Sequence, residues 1–400
     1  MKSKPYWAGV TLLSVILLTG CWSRVELNEY AIGMGVAVDK TGGKYDVSVQ
    51  TVDPSELSPK QGGGGGGSPV VLYKASGDSV AEALRDMTRT SPRKIYLGHL
   101  RILAIGESTA REGLKEILDY FKRNNALRTD FDIVIIKDRK AEEALKILTP
   151  IERIPAAQMF ESLETSDKQL ARIMRVSMDV LLADLTTEGK SLVLPGLGIV
   201  GSPDSGKGTE NLKMANPPSK FRILGLSVFK YDKLIGWLTE KESSSYSFIT
   251  DRVDTASFVM ECPGGSGRIT LDVIRSKTRI KGKVVQGIPK IDILVRTELK
   301  AGDVTCPLDL RNPEIIDDLG KTASSQIRES LMKTIDSVQG KYKADIFGFG
   351  EVIRRSDPKA WSKLKENWPQ PFAEIEPNII VDAKIRQLGA SSNSISQSIR

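Results

Sequence analysis

The first twenty-two residues constrain this chain most, because they decide where the rest of it folds. Lys2 and Lys4 precede an uncharged apolar run from Ala8 to Gly20, which is followed at once by Cys21. The run is too short to cross a bilayer, for which about 20 apolar residues are needed. A cationic start, a short apolar core and small residues before the cleavage point are typical of an export signal.

The motif Leu18-Thr19-Gly20-Cys21 is a bacterial lipobox, in which the cysteine thiol accepts a diacylglyceryl group. We therefore expect residues 1–20 to be a lipoprotein signal peptide, with Cys21 as the lipid attachment site and first mature residue. Residues 21–30 follow as a polar tether. Two acyl chains hold a protein stably on a membrane, whereas one is marginal. The alternatives are an ordinary signal peptide cut near Cys21 and an uncleaved anchor.

The charge balance argues against a nucleic-acid protein. The chain has 57 basic and 50 acidic residues, a formal charge of +7, and the signal peptide contributes two of the lysines. A nucleic-acid surface needs clustered Lys and Arg beside aromatic platforms, and we predict neither. The sequence favours a solvated surface of mixed charge, and weak attraction to an anionic membrane stays open.

The remaining cysteines and the single histidine limit the chemistry. Cys262 and Cys306 lie outside the cytoplasm, where a disulfide is permitted, but two separate, partly buried thiols are favoured. Their spacing matches no metal motif. His99, the one histidine, is predicted inside an apolar strand with a structural role, and a multi-histidine metal site is excluded. The residues thus predict no catalytic group, no metal and no cofactor.

Residues 31–201 are predicted to form a region of strands with packed helices. Ala31 to Asp39 and Tyr45 to Val52 alternate as a hairpin, and the six glycines after Gln61 read as a flexible loop. Further strands are predicted at 95–105, 130–137 and 192–200, and helices at 79–90, 109–121, 140–148 and 166–182. Two of these helices carry capping-box spacings, Ser79 with Glu82 and Thr109 with Glu112.

The C-terminal half has a different pattern. Residues 202–219, rich in Pro and Gly, are predicted to be a linker to an α+β domain at 220–389. Phe221 to Glu298 reads as an uninterrupted antiparallel meander. Asn312 and Pro313 then begin a long helix whose apolar stripe packs on the sheet. Residues 390–400 are predicted to be a disordered tail, and the fold class is multi-domain α+β.

Asp345 to Gly350 is a singular stretch, in which two phenylalanines alternate with two glycines. The structural interpretation places the aromatic rings in the core while the backbone turns tightly. A ligand or partner loop is the less favoured alternative.

Three segments resemble the Ger(x)C family, the C subunits of the nutrient germinant receptors of bacterial spores. They are the start Cys21-Trp22-Ser23-Arg24 with its strand to Asp39, the hairpin from Gly225 to Leu238, and the Asp345 to Gly350 stretch with Trp361 downstream. The six-glycine run and the polar stretch at 240–245 depart from the family pattern.

The resemblance implies a lipid-anchored, non-catalytic subunit on the outer face of the spore inner membrane, working with integral-membrane A and B subunits and no nucleic acid. It also implies three domains, in which residues 31–44 pair with 190–201 and residues 45–189 are inserted. The rival is a solute-binding lipoprotein of a transporter, with two lobes of alternating strands and helices. A surface hydrolase would need His99 or an acidic pair in a cleft.

Overall fold

The structure is a computed structural model that describes residues 29–53, 67–262, 267–306 and 308–388. Four predicted features lie wholly or mostly outside these ranges: the signal peptide at 1–20, the tether at 21–30 with Cys21, the six-glycine run, and the tail at 390–400. Within the described ranges, no helix is both long enough and apolar enough to span a bilayer.

Nine strands form the larger of two sheets. They are β1 (Tyr30–Thr41), β2 (Lys44–Val52), β3 (Val70–Gly77), β4 (Lys94–Tyr96), β5 (Ile102–Gly106), β6 (Asp132–Ile136), β7 (Val193–Val200), β8 (Lys220–Lys230) and β9 (Lys233–Trp237). Their order in space is β3-β2-β1-β5-β6-β7-β8-β9, and β4 pairs with the start of β1. The four central strands are parallel, and antiparallel strands flank them on both sides.

Eight helices accompany this sheet: α1 (Val80–Asp86), α2 (Glu107–Glu112), α3 (Lys115–Arg123), α4 (Ala141–Ala144), α5 (Pro155–Leu170), α6 (Met178–Thr186), α7 (Pro203–Gly206) and α8 (Glu210–Lys213). Every residue of β5 and β6 is buried. Parallel strands covered on both faces read as unbroken apolar runs, which is why these two were visible in the sequence.

The second sheet has four strands in the order β10 (Ala256–Glu261), β11 (Arg268–Val285), β12 (Ile288–Val304) and β13 (Asn378–Gln387). Its helices are α9 (Glu240–Ile249), α10 (Pro313–Lys341), α11 (Phe349–Ser356), α12 (Pro358–Leu364) and α13 (Pro369–Ala373). The α+β class with mixed sheets is confirmed. The long helix is confirmed too: Asn312 caps it, and Leu319, Ala323 and Leu331 of its stripe are buried.

The predicted uninterrupted meander is wrong. Helix α9 interrupts it, because Thr239 and Glu242 form a capping box that starts a helix where the sequence reads as polar. Strands β8 and β9 belong to the first sheet, and residues 202–219 connect β7 and β8, which are antiparallel neighbours. The last strand, β13, pairs with β12 in parallel, since α10 carries the chain back between them.

The predicted pairing of residues 31–44 with 190–201 is also wrong. Strands β5 and β6 lie between β1 and β7 in the sheet, so the two segments share no ladder. The division of the first region into an outer unit and an insert therefore loses the pairing on which it rested.

The strand predicted at 95–105 is two strands separated by a turn. Leu100 N donates to the Leu97 carbonyl at 3.0 Å, and a Cβ on Gly98 would lie 2.2 Å from the Tyr96 hydroxyl, so the chain folds back under that ring. His99 is exposed on this turn, with its ring edge against Tyr96 at 5.8 Å between centroids. Its predicted place inside a strand is wrong.

The helix predicted at 166–182 is wrong as well. Helix α5 ends at Leu170, because Ala171 takes a left-handed conformation with φ of 46°. Ile173, Met174 and Val176 are buried in an irregular segment beside β6, where Ile133 N donates to the Val176 carbonyl at 2.9 Å. Their apolar spacing reflects burial rather than helical periodicity.

Of the two predicted capping boxes in the first region, one marks a real helix start. The Ser79 hydroxyl accepts from Glu82 N at 3.1 Å and caps α1. Thr109 lies inside α2, and its hydroxyl accepts from Lys40 N on β1 at 2.8 Å, so the second box is wrong.

Candidate functional site

The Asp345 side chain organises a turn in the C-terminal half through four hydrogen bonds. Its carboxylate is buried and accepts the backbone N–H groups of Gly348, Phe349 and Gly350 at 2.9, 3.1 and 2.7 Å. The indole N–H of Trp368 donates to the same carboxylate at 3.0 Å. Each oxygen therefore receives two donors, and the turn is fixed from one point.

Two glycines make this turn possible. Gly348 has φ of 77°, a left-handed conformation that glycine adopts without steric cost, and it starts α11. A Cβ on Gly350 would lie 2.7 Å from the backbone of Gly189, on the segment before β7. The backbones of the two halves of the chain therefore touch here.

The two phenylalanines of the stretch are core residues. Phe347 and Phe349 are buried and stack with 5.3 Å between ring centroids. Phe349 also meets Phe372 at 6.1 Å, and Phe347 meets Tyr246 of α9 at 6.3 Å. The structural interpretation of this stretch is confirmed.

Burial and hydrogen bonding act on Asp345 in opposite directions. Burial raises the pKa of this carboxyl to about 6, while its four donors favour the charged form. The group is therefore mostly ionised at neutral pH. A negative charge before the N-terminus of α11 is also favourable, because the free N–H groups of a helix point there.

A cleft of about 520 Å³ opens beside this turn. One wall is the segment from Leu185 to Leu192, and the other carries Asp345, Trp361 and Trp368. Trp361 donates its indole N–H to Glu188 across the cleft at 3.0 Å. The walls are thus joined by polar contacts.

The chemistry of the cleft is that of a structural joint. Both Asp345 oxygens are occupied by donors, so the carboxylate has no lone pair placed to take a substrate proton. Lys190 is paired with Asp184 at 2.6 Å, and Glu188 accepts from Trp361. Among the described residues, no cluster of three or more His, Cys, Asp or Glu side chains could hold a metal ion.

The other predicted residues are dispersed. Cys262 and Cys306 form a disulfide with 6.2 Å between Cα atoms, so the favoured prediction of separate thiols is wrong. Their partnership arises because Cys262 follows β10 and Cys306 follows β12, on either side of the start of β11. His99 lies on its exposed turn, and Cys21 lies outside the described residues.

Sequence reasoning missed a charged surface. Along β11, Arg275, Lys277, Arg279, Lys281 and Lys283 occupy alternate positions and are all exposed. Because side chains two residues apart in a strand share a face, the five cations are aligned, and the prediction that Lys and Arg are not clustered is wrong. The sequence itself contains this pattern, since every second residue from Arg275 to Lys283 is basic.

Two family models match this chain. The model described as the spore germination protein N-terminal domain matches residues 23–199. The model described as spore germination B3/GerAC like, C-terminal, matches residues 224–389. Together they cover most of the chain.

Curated relatives match over nearly their whole length. Spore germination protein KC of Bacillus subtilis (strain 168) is 29% identical, with 99% of this chain and 98% of that protein covered. Spore germination protein B3 of the same organism is 24% identical, with 95% of this chain and 97% of that protein covered. GerQC of Bacillus cereus, another spore germination protein, is 22% identical, with 96% of this chain and 99% of that protein covered.

The crystal structure of the GerBC protein has the same fold. It superposes with a TM-score of 0.55 at 20% sequence identity and covers 88% of this chain and 96% of that one. Family models, whole-length relatives and fold agree with each other. The chain belongs to the Ger(x)C family of spore germination proteins.

Proposed function

We propose that this protein is a lipid-anchored, non-catalytic subunit of a spore germinant receptor, held through Cys21 on the outer face of the spore inner membrane. There it docks with integral-membrane A and B subunits and supports their response to nutrients. The observation that carries the proposal is the alignment of 99% of the chain, the lipobox region included, with a spore germination protein.

The joint between the two halves supports a scaffolding role. The β8–β9 hairpin, which follows the predicted linker, completes the first sheet. Gly350 packs on Gly189, and Trp361 bonds to Glu188, so the C-terminal helices are fastened to the same sheet. A protein tied at several points suits a fixed docking body, because interfaces form with little loss of conformational entropy when the surfaces are rigid.

The same joint weighs against the rival, a solute-binding lipoprotein of a transporter. Such a protein closes two lobes over its ligand by bending at a few hinge residues. Here strand pairing and a buried turn join the halves, and the cleft between Leu185 and Trp368 is bridged already. A receptor subunit is therefore the better account.

The Cys21→Ala variant tests this proposal in spores. We expect the tagged wild-type chain to incorporate labelled palmitate and to co-purify with two polytopic membrane proteins. The variant should lose the label completely, because the thiol is the acyl acceptor, and should lose most of its partners. The measurement is radiolabel and mass-spectrometric identification on the same purified sample.

The matched control is Cys262→Ala with Cys306→Ala, which removes both other cysteines and should keep the palmitate label. Label that persists in Cys21→Ala would contradict the lipid assignment. A labelled wild-type chain that brings down no membrane protein would contradict the receptor-subunit assignment and leave the anchor standing.

A further inference from the structure

The open face of the second sheet carries an unusual concentration of positive charge. On β12, Ile291, Ile293 and Val295 are buried against the helices, and the residues between them point to the opposite face. That opposite face contains the five aligned cations of β11. We call it the basic face.

The neighbouring strands extend the basic face. They add five further cations: Lys290, Arg296 and Lys300 from β12 and Lys384 and Arg386 from β13. Four acids lie among them: Asp272, which pairs with Lys300 across the strands, and Asp292, Glu298 and Asp382. The ten cations and four acids give this face an excess of six positive charges.

Most of these cations lack an ionic partner. Lys277 pairs with Asp251, Arg386 approaches Glu298 at 3.8 Å and Lys384 approaches Asp382 at 3.7 Å. For the remaining cations of the face, no ion pair within 4.0 Å is found among the described residues. Exposed positive charges that have no ionic partner attract an anionic surface.

The face ends in an apolar tip. Gln286 and Gly287 form a two-residue turn with φ of 52° and 82°, which is the geometry of a type I′ hairpin turn. Val285 and Ile288 pair across the strands beside this turn and are 47% and 56% exposed. They lie two residues beyond Lys283 and Lys290, so they share the basic face.

The hairpin is held from beneath by α11. Gly282 points away from the basic face, and a Cβ there would lie 2.8 Å from Ile353 and 3.0 Å from Val352. Ile353 is buried in this contact. Because α11 begins at the Asp345 turn, that turn also positions the hairpin.

We propose that the basic face lies on an anionic phospholipid bilayer and that Val285 and Ile288 enter the boundary between headgroups and acyl chains. From Arg275 to Val285 the face extends about 35 Å, at about 3.4 Å per residue. Each Lys or Arg near an anionic membrane strengthens attachment by about fivefold. Apolar residues flanked by lysines suit this boundary. The alkyl part of each lysine side chain lies among the acyl chains, while its ammonium group reaches the phosphates.

The arginines of the face add a place for headgroups. Arg275, Arg279 and Arg296 line a shallow depression of about 490 Å³. Guanidinium groups bind phosphate oxygens with two parallel hydrogen bonds. This contact, which rests on the membrane location proposed above, would fix the orientation of the tethered protein and hence the surfaces it presents to its partners.

The test places an environment-sensitive fluorophore on Ile288→Cys in the full lipidated chain. With Cys21 acylated and Cys262 joined to Cys306, one label per chain is expected. The protein is reconstituted into vesicles of phosphatidylcholine alone or with phosphatidylglycerol. We expect the emission to shift to the blue on the anionic vesicles and to return in 1 M salt, where the Debye length falls to about 3 Å.

Two controls separate the face from the anchor. The charge-reversed variant K281E/K283E/K290E should lose the shift, and a probe on Tyr231→Cys, at the exposed tip of the β8–β9 hairpin, should show none. Flotation with both vesicle types reports the lipid anchor independently.

A chain that floats while the Ile288→Cys probe stays in water on both vesicle types overturns the inference and leaves the anchor standing. A shift on anionic vesicles without flotation on neutral ones supports the inference and contradicts the anchor. A probe that shifts on addition of the membrane partner proteins, and not on anionic lipid, assigns the face to an acidic protein surface and overturns the inference.

Discussion

Replacing Asp345 by alanine should lower the free energy of unfolding by about 4 kcal/mol. The carboxylate satisfies three backbone N–H groups and the indole of Trp368, and a buried donor left without an acceptor costs about 1–3 kcal/mol. The substitution also removes the free-energy cost of burying the charged carboxylate. The expected loss of stability is therefore smaller than the summed penalties of the four donors. Denaturant unfolding followed by tryptophan fluorescence measures the change.

The matched control is Asp336→Ala, an exposed aspartate on α10 that should change stability by less than about 0.5 kcal/mol. The stability loss of Asp345→Asn should lie between those of Asp345→Ala and Asp336→Ala. The amide keeps one acceptor oxygen, but its NH2 group faces two of the N–H donors. An Asp345→Ala protein within about 1 kcal/mol of the wild type would show that the turn does not depend on this carboxylate.

Removing the disulfide should lower the free energy of unfolding by a similar amount. The bridge closes a loop with a sequence separation of 44, and chain-entropy arguments give about 4 kcal/mol for a loop of that length. Strand β10 should be affected most, since it lies at the sheet edge and hydrogen-bonds to β11 alone among the described strands. Hydrogen exchange of residues 256–261 in the double variant Cys262→Ala with Cys306→Ala, compared with the wild type, localises the loss.

The reduced wild-type protein is the internal control for this experiment. It should unfold at nearly the same denaturant concentration as the double variant, because both lack the same cross-link. A wild type whose stability is unchanged by reductant, and equal to that of the variant, would mean that the two thiols are not joined in solution.

The sequence predicted those elements whose stability is local. The β1–β2 hairpin, the long helix capped by Asn312 and the buried strand β6 were all found, because turns, caps and continuous apolar runs depend on neighbouring residues. The Asp345 stretch was read correctly as structural, since alternating Phe and Gly predict a buried tight turn.

Features that depend on distant residues were not predicted. Ala171 ends a helix only in the context of β6, against which the following residues pack. The pairing of Cys262 with Cys306 follows from the order of strands β10, β11 and β12, which spacing does not encode. The basic face could have been found, because the alternation from Arg275 to Lys283 is a local pattern; counting net charge alone concealed it.

The most direct test of the receptor-subunit assignment is a deletion of the gene, scored as nutrient-triggered germination of purified spores. We predict that the deletion abolishes the response to at least one nutrient, that the wild-type gene restores it, and that the Cys21→Ala gene does not. Normal germination of the deletion strain in response to every nutrient tested would contradict the account.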